Sequence, residues 1–309
     1  MRWSELIEKV RGIDLGAPGH VPPREHVLAL QSLLTQALSS PDCLLDCIER
    51  QLGLIELGAE ALSKPFYLDD EHNFGVRFPH WAPYMGMSAH EHYEWIVSAV
   101  TYRALSIYTY EFEAARDERV LRPRNRFEAR AGQAGHIYRA GIHNPWNHGA
   151  EWAGSIHFYS LGDSPRLLLE GEPIAGLDFE VQALLEQGDW RQIELRSRLS
   201  ALALQTALGA AKACVDHVMC QLTLRGALEC LALSGSTRVP GILVRAYELG
   251  CVENRRRCIE LIAAHDRRRA KTWQMELEVA ERHFTELLAA ADHYRKQGNH
   301  DVELDLARA

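Results

Sequence analysis

Two histidines of the sequence stand two residues apart in a stretch rich in aromatic residues. His90 and His92 lie in WAPYMGMSAHEHYEW, and Glu94 continues the same spacing. In a β-strand, side chains two apart point to one face, so this stretch aims two imidazoles at one place. Eight of the fifteen histidines fall between residues 72 and 157, and such a concentration indicates a metal site. Glu94 is either a fourth ligand, a hydrogen-bond acceptor beside the ligands, or a solvated edge residue.

A third ligand would complete such a site, and the sequence offers more than one. His143, on a neighbouring predicted strand, is the first choice. His136 and Tyr138 are alternatives, and His148 is a weaker one. Three neutral imidazoles can bind Fe, Zn, Cu, Ni or Mn, and they leave positions open for a substrate and O2.

A second stretch, SIHFYS, places three polar side chains on one strand face. Ser155, His157 and Tyr159 alternate with Ile156 and Phe158. Polar groups that point into a protein interior must be hydrogen-bonded. We therefore expect Ser155 to set the tautomer of His157, and His157 to align the Tyr159 hydroxyl. An ordinary outward polar face is the alternative.

The elements around these residues change type along the chain. Apolar residues at helical spacing predict helices over residues 1–62 and again from about 191. Between about 66 and 160, short aromatic and β-branched runs predict antiparallel strands, and the polar segment 115–135 predicts a loop or a hairpin. This order favours a β-barrel of the cupin, jelly-roll type with N-terminal helices and an all-α C-terminal region. The predicted domains are residues 1–62, 63–175 and 190–309.

Composition excludes several classes of function. The net charge is −8 and residues 190–309 are slightly basic, so the front half is acidic and unsuited to a nucleic-acid ligand. No apolar run is long enough for a membrane span, and the N-terminus lacks the apolar core of a signal peptide. The seven cysteines fit buried free thiols. We expect a cytoplasmic protein with a small-molecule substrate.

Residues of about 20–170 resemble the cysteine dioxygenase, or thiol dioxygenase, branch of the cupins. Trp81 stands nine residues before His90, and the H-x-H of His90 and His92 lacks the Glu of four-ligand cupins. His143 is followed by Asn147 as in the H-x-x-x-N of that family, and the S-x-H-x-Y triad is intact. The C-terminal helical region is not covered by the resemblance.

The resemblance implies that His90, His92 and His143 ligate Fe(II). It implies that His157 and Tyr159 lie near the substrate and O2, and that Trp81 packs against the tyrosine. Members of the family oxidise a thiol to a sulfinate with O2 and need no external reductant. A small thiol, cysteine or a derivative, is then the expected substrate.

The sequence departs from the family where a substrate carboxylate would bind. The corresponding segment, KPFYLDDEHN, offers Tyr67 but no arginine, and Val97 stands where some members carry a cross-linking cysteine. Arg77 shares strand parity with Trp81, and Arg139 shares it with His143, so either could supply the cation. Each could equally be a surface arginine.

Two other functions fit the same residues. One is a three-histidine cupin oxygenase that acts on a non-thiol metabolite in a biosynthetic pathway. The other is a non-enzymatic cupin that senses a metal or a ligand. In either case the C-terminal helices could form a homodimer or bind a protein partner.

Overall fold

The computed structural model describes residues 1–87, 89–92, 94–115, 118–139, 141–162, 166–167 and 212–296. The predicted connector at 172–190 and the start of the helical segment from 191 lie outside these residues. None of the helices in the described segments has the length and apolar character that a membrane crossing requires.

Four helices occupy the first 63 residues, as the helical spacing predicts. They are α1 (Trp3–Arg11), α2 (Arg24–Leu38), α3 (Pro41–Glu56) and α4 (Ala59–Ser63). The start of α3 is set by its sequence, because Ser40 accepts a hydrogen bond from the Asp42 backbone N–H and Pro41 fits the first helical turn. Helix α2 packs against strands of the β region that follows.

The described strands form two antiparallel sheets. They are β1 (Tyr67–Asp69), β2 (Phe74–Arg77), β3 (His80–Trp81), β4 (His90–His92), β5 (Trp95–Tyr102), β6 (Ala104–Ala115), β7 (Glu118–Arg130), β8 (Ala134–Tyr138), β9 (Gly141–Trp146), β10 (Ala153–Ser160) and β11 (Arg166–Leu167). The six-stranded sheet has the order β1-β2-β10-β5-β8 with β3 beside β10. The five-stranded sheet has the order β11-β4-β9-β6-β7.

A shared apolar core joins the two sheets. Trp81, Val100, Leu105 and Ala153 form one buried cluster and come from β3, β5, β6 and β10. Strands of two antiparallel sheets that bury a common face make a double-sheet jelly roll, so the predicted fold class is confirmed. The described strands remain two sheets and do not close into a single barrel.

One residue carries the chain from the first sheet to the second. The sequence reads as a single strand run from Trp95 to Phe112, but β5 ends before Arg103 and β6 begins after it. Arg103 has a φ of 61°, a left-handed conformation that turns the chain out of the ladder. The polar segment expected as a loop or hairpin is β7, which pairs with β6 as a long hairpin at the sheet edge.

The C-terminal region is helical, as predicted. Its described helices are α5 (Lys212–Leu231), α6 (Val239–Leu249), α7 (Val252–Ile262) and α8 (Arg267–Lys296). The chain divides into two compact units, Met1–Val239 and Pro240–Ala309, and α5 belongs to the first. The domain boundaries drawn from the sequence stay predictions. The described cysteines are free thiols, namely Cys43, Cys47, Cys220, Cys230, Cys251 and Cys258.

Helix α5 approaches the six-stranded sheet through a glycine. A Cβ added at Gly226 would lie 2.2 Å from the Cβ of His80, so the close contact requires glycine. The Tyr102 hydroxyl donates to the Gly226 carbonyl oxygen at 3.0 Å. The His80 ring lies between the Tyr102 hydroxyl, at 3.0 Å, and the Gln51 side-chain oxygen, at 2.6 Å. These bonds connect α3, β3, β5 and α5.

We expect Gly226→Ala to destabilise the protein by about 1–3 kcal/mol, because the methyl group must push α5 away from His80. Gly241→Ala is the matched control, since nothing lies within 4 Å of a Cβ built there and alanine favours the helix. Urea unfolding followed by circular dichroism measures both. Equal stability of the two variants would contradict the close packing.

Candidate metal centre

Three buried histidines meet between β4 and β9. His90 is the direct cross-strand neighbour of His143, and His92 is that of Gly141. Each of the three side chains is 5% exposed. One ring nitrogen from each histidine can lie within 4.8 Å of the other two, and the ring centroids are 4.3 to 5.3 Å apart. The two-residue spacing on β4 puts His90 and His92 on one face of the strand. The pairing of β4 with β9 brings the third ring, His143, beside them.

The electrostatics of the cluster suit a metal ion. Burial holds the pKa of His143 well below its usual range, and the neighbouring His90, His92 and His157 lower it further. Neutral imidazole is the form that binds a metal. Among the described residues, the buried Nδ1 of His143 has no hydrogen-bond partner. Three buried histidines whose ring nitrogens converge fit a three-coordinate protein site with open positions.

His157 stands beside this cluster and is held by two serines. Its Nε2 lies 2.7 Å from Ser155 Oγ, and its Nδ1 lies 2.6 Å from Ser98 Oγ. Trp81 Nε1 donates to Ser155 Oγ at 2.8 Å. Burial lowers the pKa of His157 to about 3, with further contributions from His90, His92 and Arg77. The ring is therefore neutral and fixed in orientation.

The predicted relay from His157 to Tyr159 is wrong in its last step, because both ring nitrogens of His157 face serines. The Tyr159 ring lies over Gly75, where an added Cβ would be 2.6 Å from the hydroxyl oxygen. The Arg77 guanidinium lies near enough to that hydroxyl to lower its pKa. Burial raises the pKa of Tyr159 although Arg77 lowers it, so the hydroxyl keeps its proton.

Of the proposed substrate-binding residues, Arg77 is exposed at the end of β2 and lies next to His157 of the neighbouring strand. Arg77 is the cross-strand neighbour of His157 and lies on the same face. Arg139 is elsewhere: it has a φ of 57°, is exposed and stacks over Tyr138 with its guanidinium carbon 5.3 Å from the ring centre. Trp81 lies in the core between the sheets and reaches Ser155.

Tyr67 is also away from the cluster. Its hydroxyl accepts from Arg11 Nη2 at 3.0 Å and donates to Asp69 at 3.2 Å, and its ring packs edge-on against Trp3. These contacts tie β1 to helix α1 rather than to the three histidines. That Tyr67 binds substrate stays a prediction, which these contacts do not support.

The alternative third ligands lie outside the cluster. His136 Nδ1 is 2.6 Å from Gln31 Oε1, and the Tyr138 hydroxyl donates to the Pro22 carbonyl oxygen. His148 Nε2 is 2.7 Å from the Tyr108 hydroxyl. Asn147 is buried, and its amide donates to the backbone oxygens of Trp81, Ala82 and Glu151.

Two contributors, Ser98 and Gly75, were missed by reasoning from the sequence, and Glu94 differs from two of the three alternatives given for it. Ser98 reaches His157 from the opposite strand, and Gly75 makes room for the Tyr159 ring. Glu94 is buried and is neither in the cluster nor solvated: it accepts from the Gly19 backbone N–H at 2.9 Å and from the Ser160 hydroxyl. Knowing the strand pairing is what reveals Ser98, because 59 residues separate it from His157.

Two buried histidines make stability depend on pH. Burial lowers the folded-state pKa of His80 and of His157 to about 3, whereas an unfolded histidine titrates near 6.5. The unfolded chain binds more protons between these values, so stability is full above pH 6.5 and falls as the pH drops towards 3. Between pH 7 and pH 5 we expect a loss of about 2 kcal/mol for each histidine in the metal-free protein.

Urea unfolding at a series of pH values measures this loss. His80→Gln should remove part of the pH dependence, and substitution of the exposed His217 by Gln should leave it intact. A free energy of unfolding that is flat from pH 7 to 5 would contradict the neutral, buried state of both rings.

No family model matches the chain, and no curated protein matches it. Solved structures that match include oxalate decarboxylase of Bacillus subtilis, studied for its Mn(II) centres (TM-score 0.25, 14% identity, 31% of this chain and 24% of that chain). They also include an oxalate oxidase (TM-score 0.25, 18% identity, 40% and 63%) and the Drosophila melanogaster CENP-C cupin domain (TM-score 0.23, 14% identity, 29% and 62%). The match spans less than two thirds of each of these chains.

TM-scores this low carry no argument about the class of protein, so the class is inferred from the architecture of this chain alone. Two packed antiparallel sheets and three clustered histidines define a jelly-roll protein with a candidate metal centre.

Proposed function

We propose that the protein is an Fe(II)-dependent oxygenase of the thiol dioxygenase type, which oxidises a small thiol to a sulfinate. The observation that supports the proposal is the cluster of three buried histidines, with His157 beside it and Arg77 opposite His157 on the neighbouring strand. The same three histidines would hold the iron. Their ligand roles, like those of the residues around them, are part of the proposal.

Iron bound by three neutral imidazoles would supply a centre at which a thiolate and O2 meet and electrons pass from sulfur to oxygen. The overall change is balanced without a reductant: the thiol sulfur loses four electrons, O2 gains four, and both oxygen atoms end on sulfur. The protein's contribution is then to bind, orient and shield the substrate.

Arg77 and Tyr159 perform different parts of that task. The guanidinium of Arg77 offers a fork of N–H donors to an anionic group of the substrate. The Tyr159 hydroxyl, which keeps its proton, donates a hydrogen bond to oxygen as negative charge develops there. Because Gly75 leaves room for the ring, Tyr159 can lie flat against β2 with its hydroxyl near Arg77.

His157 acts as a positioning residue in this proposal. Two serine hydroxyls fix its ring, and Trp81 fixes one of those serines. A neutral His157 ring beside the three histidines adds no charge that would repel a cation from the cluster. The Trp81–Ser155–His157–Ser98 chain therefore keeps this wall of the site rigid and uncharged.

Anaerobic purification followed by metal analysis and O2-uptake measurements with a panel of thiols tests the proposal. We expect one iron per chain, thiol-dependent uptake, and a product heavier than the thiol by two oxygen atoms in mass spectrometry. Uptake with non-thiol metabolites alone would favour the non-thiol oxygenase. Bound zinc without uptake for any candidate would favour a metal- or ligand-sensing protein.

A further inference from the structure

A cavity of about 600 Å³ lies beside Arg77 in the first compact unit. Its walls come from α3, α4, the loop after β3, the end of β9 and helix α5. Cavities of about 300–1,000 Å³ are typical of sites for drug-sized ligands. This one offers much more room than a small thiol needs.

Most of the cavity wall is apolar, and part of that apolar surface is open to solvent. Met85, Met219 and Leu222 all line the cavity and are 47%, 46% and 41% exposed. Trp146 and Trp152 add aromatic surface. Large apolar side chains that converge on one exposed cavity mark a binding site rather than ordinary surface.

The charged groups of the cavity are all of one sign. Lys64 and Arg77 line it, and none of the described lining residues is acidic. Lys64 is largely exposed and pairs with Glu60 at 3.3 Å. Among the described residues no carboxylate pairs with Arg77, and the Tyr159 hydroxyl near it is neutral. A cation at the end of an apolar cavity suits a ligand with one anionic group and an apolar body.

We propose that this cavity binds the apolar body of an organic acid, with the anionic group of that acid held by Arg77. The proposal rests on the proposed function through Arg77, which lines the cavity and is the cross-strand neighbour of His157, and it narrows the substrate to an amphipathic acid larger than cysteine. Helix α5, which lies outside the region that resembles thiol dioxygenases, then determines specificity through Met219 and Leu222.

Straight-chain carboxylates of four to ten carbons are the probes, titrated calorimetrically into the metal-free protein so that no metal contributes to binding. Each added methylene should tighten binding about fourfold until the chain fills the cavity. A primary alcohol of the same length should bind at least about tenfold more weakly than the carboxylate, because it lacks the charge that Arg77 recognises. No binding, or binding independent of chain length, would overturn the proposal.

Two pairs of variants locate the site. Leu222→Trp fills the cavity and should weaken octanoate binding at least about tenfold, whereas Leu233→Trp changes an exposed leucine that does not line it and should have no effect. Arg77→Met should erase the preference for carboxylate over alcohol, and Arg103→Met, at an exposed arginine paired with Glu151, should preserve it. Circular dichroism confirms that each variant is folded.

The outcomes separate this inference from the proposed function. Iron binding and thiol oxidation without chain-length-dependent carboxylate binding would overturn the cavity assignment alone. Carboxylate binding in the cavity without O2 uptake would support the cavity assignment and count against the oxygenase. Equal weakening by the two tryptophan substitutions would place binding elsewhere and overturn the assignment.

Discussion

Replacing His143 by alanine is expected to abolish stoichiometric metal binding. His143 supplies one of three ring nitrogens that converge within 4.8 Å, and two imidazoles alone hold a divalent ion weakly. Because losing a residue that merely supports a ligand costs about 10–100-fold in metal affinity, losing a ligand should cost more than about 100-fold. Metal content after Fe(II) loading and desalting, measured by mass spectrometry, checks this result.

His136→Ala and His148→Ala are the matched controls for this prediction. Both histidines are partly buried and hydrogen-bonded, but to Gln31 and Tyr108 rather than to the cluster. Both variants should retain one metal per chain. Full metal content in the His143 variant, or loss of metal in the His136 variant, would show that the third ligand is misassigned.

Tyr159→Phe should lower the rate of turnover by about 100-fold and leave metal content unchanged. The substitution removes a protonated hydroxyl beside Arg77, and a single donor to developing negative charge is worth about 10²–10³ in kcat. The ring itself stays packed over Gly75. Steady-state O2 uptake, run beside metal analysis of the same preparation, separates the two effects.

Two further variants sharpen the test of Tyr159. Gly75→Ala keeps the hydroxyl but displaces it, since the new methyl group would lie 2.6 Å from the ring and oxygen, so turnover should again fall. Tyr67→Phe removes a hydroxyl that contacts Arg11 and Asp69, and turnover should stay within about twofold of the original. If Tyr159→Phe retained full turnover, the hydroxyl would have no part in the reaction.

The metal cluster could be predicted from the sequence because it depends on a short-range rule. Residues two apart on a strand share a face, and this rule holds in β4 and in the part of β10 after the register shift between Gly154 and Ser155. The choice of His143 over His136 also agrees with the structure, since β9 pairs directly with β4. The alternating pattern likewise predicted the two-sheet fold class.

The same rule failed where the backbone is irregular. Counting back from His143 by twos places Arg139 on the inner face, but β9 begins only at Gly141. Arg139 itself is in the left-handed region, which ends the alternation and turns the side chain onto Tyr138. Arg77 is the exposed last residue of β2, and the break at Phe78 and Pro79 separates it from Trp81 in β3, so its role in binding substrate stays a prediction.

The pairing of strands that are distant in the sequence also could not be predicted. Ser98 and His157 are brought together by the register of β5 against β10, and nothing in either local sequence marks that register. The failure of the His157–Tyr159 bond has the same origin: once two serines occupy the imidazole, Tyr159 turns to Arg77 across β2.

The hydrogen bond between Glu94 and the loop before α2 limits how far the chain can be shortened. The side chain is buried two residues after His92, and its described hydrogen-bond donors are the backbone N–H of Gly19 and the Ser160 hydroxyl. A chain shortened to begin after this loop would leave a buried polar group without the Gly19 donor. The smallest autonomous version of the jelly roll must therefore keep the residues around Gly19, and trimming them should loosen the strand that carries two of the histidines.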